Sequence, residues 1–460
     1  MKRSETTTND FCDTKPWAQK QWGNADLGDL RLQERAVEIG AQMAMFPGAS
    51  LPQQMQDAAR LKAAYRLLDN PKVTHESLGR QHWQATREKA ATEPIVLMIQ
   101  DITELDYTHY AATMRGLGPI GRQNGAGWLM HSTLAVVPGS KQIIGLAQQQ
   151  VFKRKPLPAG ATHKQLPKHK RESVVWPKAN RDLGLVPTAT QWVAVGDRGA
   201  DSMDYMLGCR ASRMDFNIRL AQNRRLVTED GSTSYLFETV RSWEPVVGKK
   251  LEIAASHGHK ARTAHILVSF GQLKLRISRK NDCLAVHIVR AWEIDAPEDV
   301  TDPIEWVLAT SVAIACPEDA LCRLDWYTTR WLIEDYHQCL KTGCTAEERD
   351  FEHAARIKRL LGFLAIIAMR LLQLRQASRL QPQSPATTVA EPLLIALVAK
   401  KADLSPNMTV REFWRGVAKL GGFRGRRSDG QPGWRTLWRG WLYLANLFEG
   451  VLLASSLSRS

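Results

Sequence analysis

The chain lacks an apolar run long enough to cross a bilayer. The longest, Leu360 to Met369, is flanked by Arg359 and Arg370 and reaches about half of the roughly 20 residues that a span needs. It reads as a buried core helix, and no membrane partner is expected. No apolar stretch follows the basic residues of MKRSETTTNDF, so no secretory signal is expected. The seven cysteines (Cys12, Cys209, Cys283, Cys316, Cys322, Cys339 and Cys344) are odd in number, scattered and without a CxxC pair. That speaks against a disulfide framework or a zinc site and suits reduced cytosolic thiols. There is no internal repeat and no sustained low-complexity tract. Acidic residues are in the minority, 47 against 62 Lys and Arg, a formal net charge of +15. Such an excess favours a polyanionic partner, most simply nucleic acid, although charge alone separates neither DNA from RNA nor either from an acidic membrane surface. With 460 residues the chain can hold two or three domains.

The first ninety residues carry helical patterning, as in LRLQERAVEIGAQMAMF and QDAARLKAAYRLLD. PIVLMIQD is then a short continuous apolar run, the mark of a strand buried on both faces, ending in Asp101. GWLMHSTLAVVPG and IIGLAQQQVF read as two further strands. From Lys153 to Arg171 runs a basic segment with no acid, either a solvated loop or a DNA contact. A helix precedes WVAVGD, a second buried strand with Asp197 at its edge, and FNIRLAQ follows as another. From about 224 to 305 the pattern alternates as in β-structure, which predicts an inserted all-β subdomain. IEWVLATS resumes the α/β order, and helices continue to the end. The expected fold is α/β, with a helical N-terminal domain, an all-β insertion and a C-terminal helical region.

DWYTTRWLIEDYHQCLKTG carries the most chemistry. Pro317, Glu318 and Asp319 suit a helix start and Gly343 a stop. On one helix, at about 100° per residue, Tyr327, Arg330, Glu334 and Lys341 lie within roughly 60° of each other. A carboxylate among cations can hold a hard metal ion and grip phosphate oxygens; a solvated face of paired charges is the plainer alternative. A lone aspartate after a strand is commonly a cap or turn residue. Asp101 and Asp197, each at a strand end and joined by Glu334, make a stronger set, because ligands gather at such ends. Three carboxylates can bind two Mg²⁺ or Mn²⁺ ions about 3.5 to 4 Å apart, one for the attacking and one for the leaving oxygen. Oxygen-only donors disfavour zinc.

The spacing Tyr327, two residues, Arg330, three residues, Glu334, six residues, Lys341 resembles the signature of the bacterial insertion-sequence-four DDE transposases, with the transposon-five enzyme a close relative. The resemblance extends through DITELDY, GWLMHS, RESVVW, DRGAD and KLGGF, and through WGNADLGDLRLQER and AAYRLLDNPKV near the N-terminus. It implies an RNase H-like catalytic core over 91–375, a DNA end-binding domain over 1–90 and a dimerisation region over 376–460. It implies Asp101, Asp197 and Glu334 as catalytic metal ligands for two Mg²⁺ or Mn²⁺ ions. Tyr327, Arg330 and Lys341 match phosphate-holding residues, Trp306 a tryptophan associated with a flipped base, and Trp331 and Arg219 further DNA contacts. The implied partners are the double-stranded DNA of transposon ends and target, and a second copy of the chain, in a bacterial cytoplasm. The implied reaction is cut-and-paste transposition: one strand is cut, its 3′-hydroxyl forms a hairpin with the other strand, the hairpin is opened, and the ends are joined to target DNA. Gly199 stands where relatives often have Glu, and Ile102 where some have Thr; neither removes a ligand.

Some residues imitate a site. Gly116, Gly118 and Gly121 spell GxGxxG, but Pro119 interrupts them and no helix follows. Glu104, Asp106, Asp201, Asp204 and Asp335 lie close in sequence to the proposed ligands. His131 reads as a packed strand residue. Trp434, Trp438 and Trp441 recur at helical spacing, a core stripe or a dimer interface. A stand-alone RNase H-like nuclease and a DNA-binding protein without catalysis are the alternatives to a transposase.

Overall fold

The computed structural model describes residues 14–121, 124–154, 172–228, 232–253, 261–277, 282–426 and 429–458. The described residues begin with five helices: α1 (Thr14–Trp22), α2 (Leu30–Met45), α3 (Leu51–Met55), α4 (Ala58–Asp69) and α5 (His75–Ala90). Their starts are set by side-chain caps, with Asp29, Asp57 and Thr74 accepting from backbone amides of the first turn.

The strands that follow are β1 (Ile95–Asp106), β2 (Gly118–Ile120), β3 (Gly125–Val136) and β4 (Ile143–Phe152). Helix α6 (Val175–Leu183) leads to β5 (Gln191–Gly196), and α7 (Met203–Ala211) to β6 (Asp215–Arg219). The short α8 (Leu236–Arg241) precedes β7 (Val247–Ile253), β8 (Arg262–Arg276), β9 (Cys283–Ile294) and β10 (Glu305–Thr310). All ten strands form one sheet in the order β2-β3-β1-β5-β6-β10-β9-β8-β7, with β4 also on β3. The pairs β1–β5 and β5–β6 are parallel and the others antiparallel.

Two of these features differ from the sequence reading. The 224–305 insertion contains a helix, and its strands continue the central sheet through β9–β10 pairing instead of standing apart. Strand β1 also runs five residues past Asp101, because its antiparallel register with β3 continues from Asp101–Ser132 to Asp106–Gly127. The sheet divides two cores. Leu97 and Ile99 face one, with α11 (Ala354–Leu380) behind them; Val96 and Met98 face the other, against α6 and α7. This two-sided burial is what the unbroken apolar run of β1 implies.

The remaining helices are α9 (Pro317–Thr328), α10 (Trp331–Gln338), α12 (Pro392–Ala402), α13 (Val410–Leu420) and α14 (Trp434–Leu457). Leu360–Met369 lies buried within α11, as expected. The start of α11 holds the N-terminal helices: Arg356 makes two bonds to Asp69 (2.6 and 2.8 Å), Lys358 reaches Glu76, and Arg359 donates to the carbonyls of Leu68 and Val73. Helices α13 and α14 touch backbone to backbone at Gly421 and Gly440, where an added Cβ would fall 1.8 Å from a carbonyl oxygen of the other helix. Among the described residues no helix is long and apolar enough to cross a membrane.

Candidate active site

Parallel pairing of β1 with β5 ends at Gln100–Gly196. The next residue on each strand is a site aspartate, Asp101 or Asp197, so the two stand side by side where the strands part. Asp101 is buried and its Oδ1 accepts the Ile102 amide at 2.7 Å. Asp197 caps a single 3₁₀ turn by accepting the Gly199 amide at 2.7 Å. A Cβ at Gly199 would approach Trp176 to 2.9 Å, which accounts for glycine in DRGAD.

Glu334 reaches this point from α10. The Arg330 Nη1 donates to Asp101 Oδ2 at 2.8 Å and to Glu334 Oε1 at 3.1 Å. Burial, then the facing charges of Asp197 and Glu334, push Asp101 up to about 7, against the downward pull of Arg330. The pocket therefore holds more negative charge than one guanidinium offsets. Among the described residues, no three His, Cys, Asp or Glu side chains are gathered closely enough to hold a metal ion as they stand.

The single continuous helix read from Pro317 to Gly343 is broken twice. The hydroxyls of Thr328 and Thr329 both donate to the Asp325 carbonyl, competing with the helical ladder. Arg330 N then bonds Tyr327 O, and Ile333 N bonds Arg330 O, each three residues back, so the turn tightens. After α10 the chain widens into a π turn, Cys339–Gly343, closed by Cys344 N on Cys339 O. Tyr327 stays beside Arg330 and Asp197, close enough for their charges to act on its phenol, whereas Lys341 turns to another partner. Arg330 and Glu334 meet Asp101. Tyr327 is buried beside Arg219 and packs edge-on to Trp306 at 5.2 Å, burial holding its phenol above the usual range. Lys341 pairs with Glu347 at 3.2 Å and lines a separate cavity of about 630 Å³ with Asp106, His109 and Trp438.

Trp331 is 62% exposed, with the Arg330 guanidinium 5.3 Å from its ring centre. Arg219 donates to the Glu305 carbonyl at 3.1 Å, next to Trp306 on β10. His131 is a packed strand residue: buried, edge-on to Trp176 at 4.8 Å, and pushed by burial to about 3, hence neutral. Gly118 belongs to β2 and Gly121 donates its amide to Glu104, so GxGxxG is a β-turn feature. Of the basic segment, 155–171 lies outside the described residues; Arg154 and Glu172 at its two ends pair with each other, and Arg154 also pairs with Glu104.

Two acids dismissed from sequence have structural work. Asp201 is buried and accepts the amides of Ala221 and Gln222 at 2.7 and 2.8 Å and the Arg224 guanidinium. It ties the exit of β6, just beyond Arg219, to the exit of β5; its place within DRGAD was the only signal. Asp335 points to the C-terminal helices instead, and no local pattern marks it.

Two stretches of the chain match known families. Residues 14–73 match the transposase DNA-binding family, and residues 366–460 match the transposase Tn5 dimerisation domain. Both matches support a Tn5-like transposase. The first match covers α1 to α4 and the second runs from within α11 through α14, so in sequence the two flank the region that carries the three carboxylates. The matched domains support DNA binding and homodimer formation.

Proposed function

We propose that Asp101, Asp197 and Glu334 form the catalytic centre of cut-and-paste transposition, on an RNase H-like core, as in the insertion-sequence-four family. The observation that carries this reading is the convergence of two strand-end aspartates with Glu334 through Arg330. The strand order β4-β3-β1-β5-β6, three antiparallel strands followed by two parallel ones, supports the core assignment.

The donor set is all oxygen and short of positive charge, which fits two Mg²⁺ or Mn²⁺ ions held by these three carboxylates. Bound there, such ions polarise the attacking and leaving oxygens of an in-line displacement at phosphorus. The protein supplies the positioning. Arg330 is held by Asp101 and Glu334, within reach of a phosphate placed between them, and its planar fork suits phosphate oxygens. Tyr327 and Arg219 hold the backbone on the Asp197 side. Trp306, packed on Tyr327, offers a stacking face for a base drawn from the helix, which relieves a tight DNA hairpin. Exposed Trp331 offers a second. Lys341, reached through its own cleft, holds a phosphate farther along the strand. Two chains paired through their C-terminal regions bring two transposon ends together.

Purified protein with terminal inverted-repeat DNA and Mg²⁺ tests this. Hairpin ends and joined products support it; nicks without joining point to a nuclease, and binding alone to a non-catalytic protein. Glu334→Ala is expected to abolish cleavage and spare end binding; persistent cleavage removes Glu334 from the site.

A further inference from the structure

Asp335, the residue after Glu334, faces away from the site and into the C-terminal region. Its Oδ1 accepts from Arg375 Nη1 at 3.0 Å and from Trp434 Nε1 at 3.2 Å, and Arg379 stands 3.9 Å from Oδ2. The Arg375 guanidinium also lies 3.9 Å from the ring centre of Trp434. Carboxylate, guanidinium and indole thus close on one another. Trp434 opens α14 and stacks on Trp438 at 5.3 Å. Trp438 in turn presses on Gly343, where a Cβ would stand 2.8 Å from its Nε1. The first turns of α14 therefore grip the Glu334 segment at residue 335 and again at residue 343.

That segment needs gripping. Helix α10 has eight residues and lies between the tightened turn at Thr329–Arg330 and the π turn. A helix this short does not hold its own shape, so tertiary contacts set its position. Two hydrogen bonds to a charged acceptor are the strongest class available for this.

We propose that Asp335, Arg375 and Trp434 are positioning residues for Glu334, and that α14 braces the catalytic helix of its own chain in addition to pairing two chains. The inference rests on Glu334 as a metal ligand. It separates two roles along one helix. Trp434 and Trp438 are buried against the catalytic helix, whereas Tyr443, Leu453 and Leu457 are exposed. The tryptophan stripe is thereby assigned inward.

The test uses the full chain, with metal binding measured before DNA is added. Trp434→Phe removes the indole N–H and keeps the ring, and Asp335→Asn removes the charge and keeps an acceptor. Mn²⁺ affinity is measured by titration calorimetry, together with kcat and KM for end-DNA cleavage. Both variants are expected to bind Mn²⁺ roughly tenfold more weakly, as groups that orient a ligand do, with kcat lowered and KM for DNA unchanged. Leu453→Ala is expected to weaken the pairing of ends and leave Mn²⁺ affinity as it was. Mn²⁺ affinities of both brace variants within twofold of wild type overturn the inference, as does an equal loss in Leu453→Ala. Glu334→Gln distinguishes the two levels. If it leaves Mn²⁺ affinity unchanged, the ligand assignment fails; if it alone weakens binding, only the brace fails.

Discussion

Asp101→Asn is expected to make the protein more stable at pH 8 while destroying its chemistry. The folded chain keeps the Asp101 proton up to about pH 7, because the carboxylate is buried and faces Asp197 and Glu334; the ordinary value is 3.8. Between those two values the folded state binds the proton and the unfolded state does not. Stability therefore falls as pH rises from about 3.8 to about 7, then levels off. At 1.36 kcal/mol per pH unit the penalty at pH 8 is bounded at about 4 kcal/mol. Asparagine has no charge to bury, and its oxygen still accepts from Arg330, so the variant escapes most of that penalty. Losing the charge also weakens the bond from Arg330, which leaves a gain of about 1–3 kcal/mol. With an unfolding entropy of about 2.1 cal/mol/K per residue, a chain of 460 residues shifts by about 1 °C per kcal/mol. Calorimetric melting of metal-free protein should show Asp101→Asn rising by roughly 1–3 °C at pH 8 and by less than half as much at pH 5. A lower Tm than wild type at pH 8 refutes the reasoning, since the Arg330 bond would then outweigh burial and repulsion.

The same raised carboxylate makes metal binding compete with a proton, so Mn²⁺ affinity should climb between pH 6 and 7 and flatten above 8; a flat profile removes Asp101 from the ligand set. Gly440→Ala places a Cβ 1.8 Å from the Val417 carbonyl, which forces α13 and α14 apart, and end pairing measured by gel shift should fall by at least tenfold. Normal pairing would show that the two helices are not held at this distance. End binding should weaken steeply with salt, with a log–log slope of about 0.9 for each phosphate neutralised, and Arg219→Ala should lower that slope by about one.

Much of this architecture is legible in the residues. The unbroken apolar runs ending near Asp101 and Asp197 identify the two central strands, and β-alternation marks the insertion. What escapes is pairing: nothing local says that β9 bonds β10 and extends the sheet, or that β1 continues along β3 past Asp101. The helix read through Tyr327, Arg330, Glu334 and Lys341 contains no glycine or proline between Pro317 and Gly343. Its first break comes from two threonine hydroxyls sharing the Asp325 carbonyl, a competition that the pair of threonines hints at without fixing. Beyond the π turn Lys341 stands in a separate cleft, while Tyr327 keeps its place beside Arg330. Asp335 was unreadable because its partners lie 40 and 99 residues away.

The most direct test of the catalytic assignment is the cleavage rate of transposon-end DNA by Asp197→Cys, measured in Mg²⁺ and again in Mn²⁺. A thiolate binds Mg²⁺ poorly and softer ions better. No detectable cleavage is expected in Mg²⁺ and substantial recovery in Mn²⁺; cleavage in Mg²⁺ at the wild-type rate would contradict Asp197 as a metal ligand.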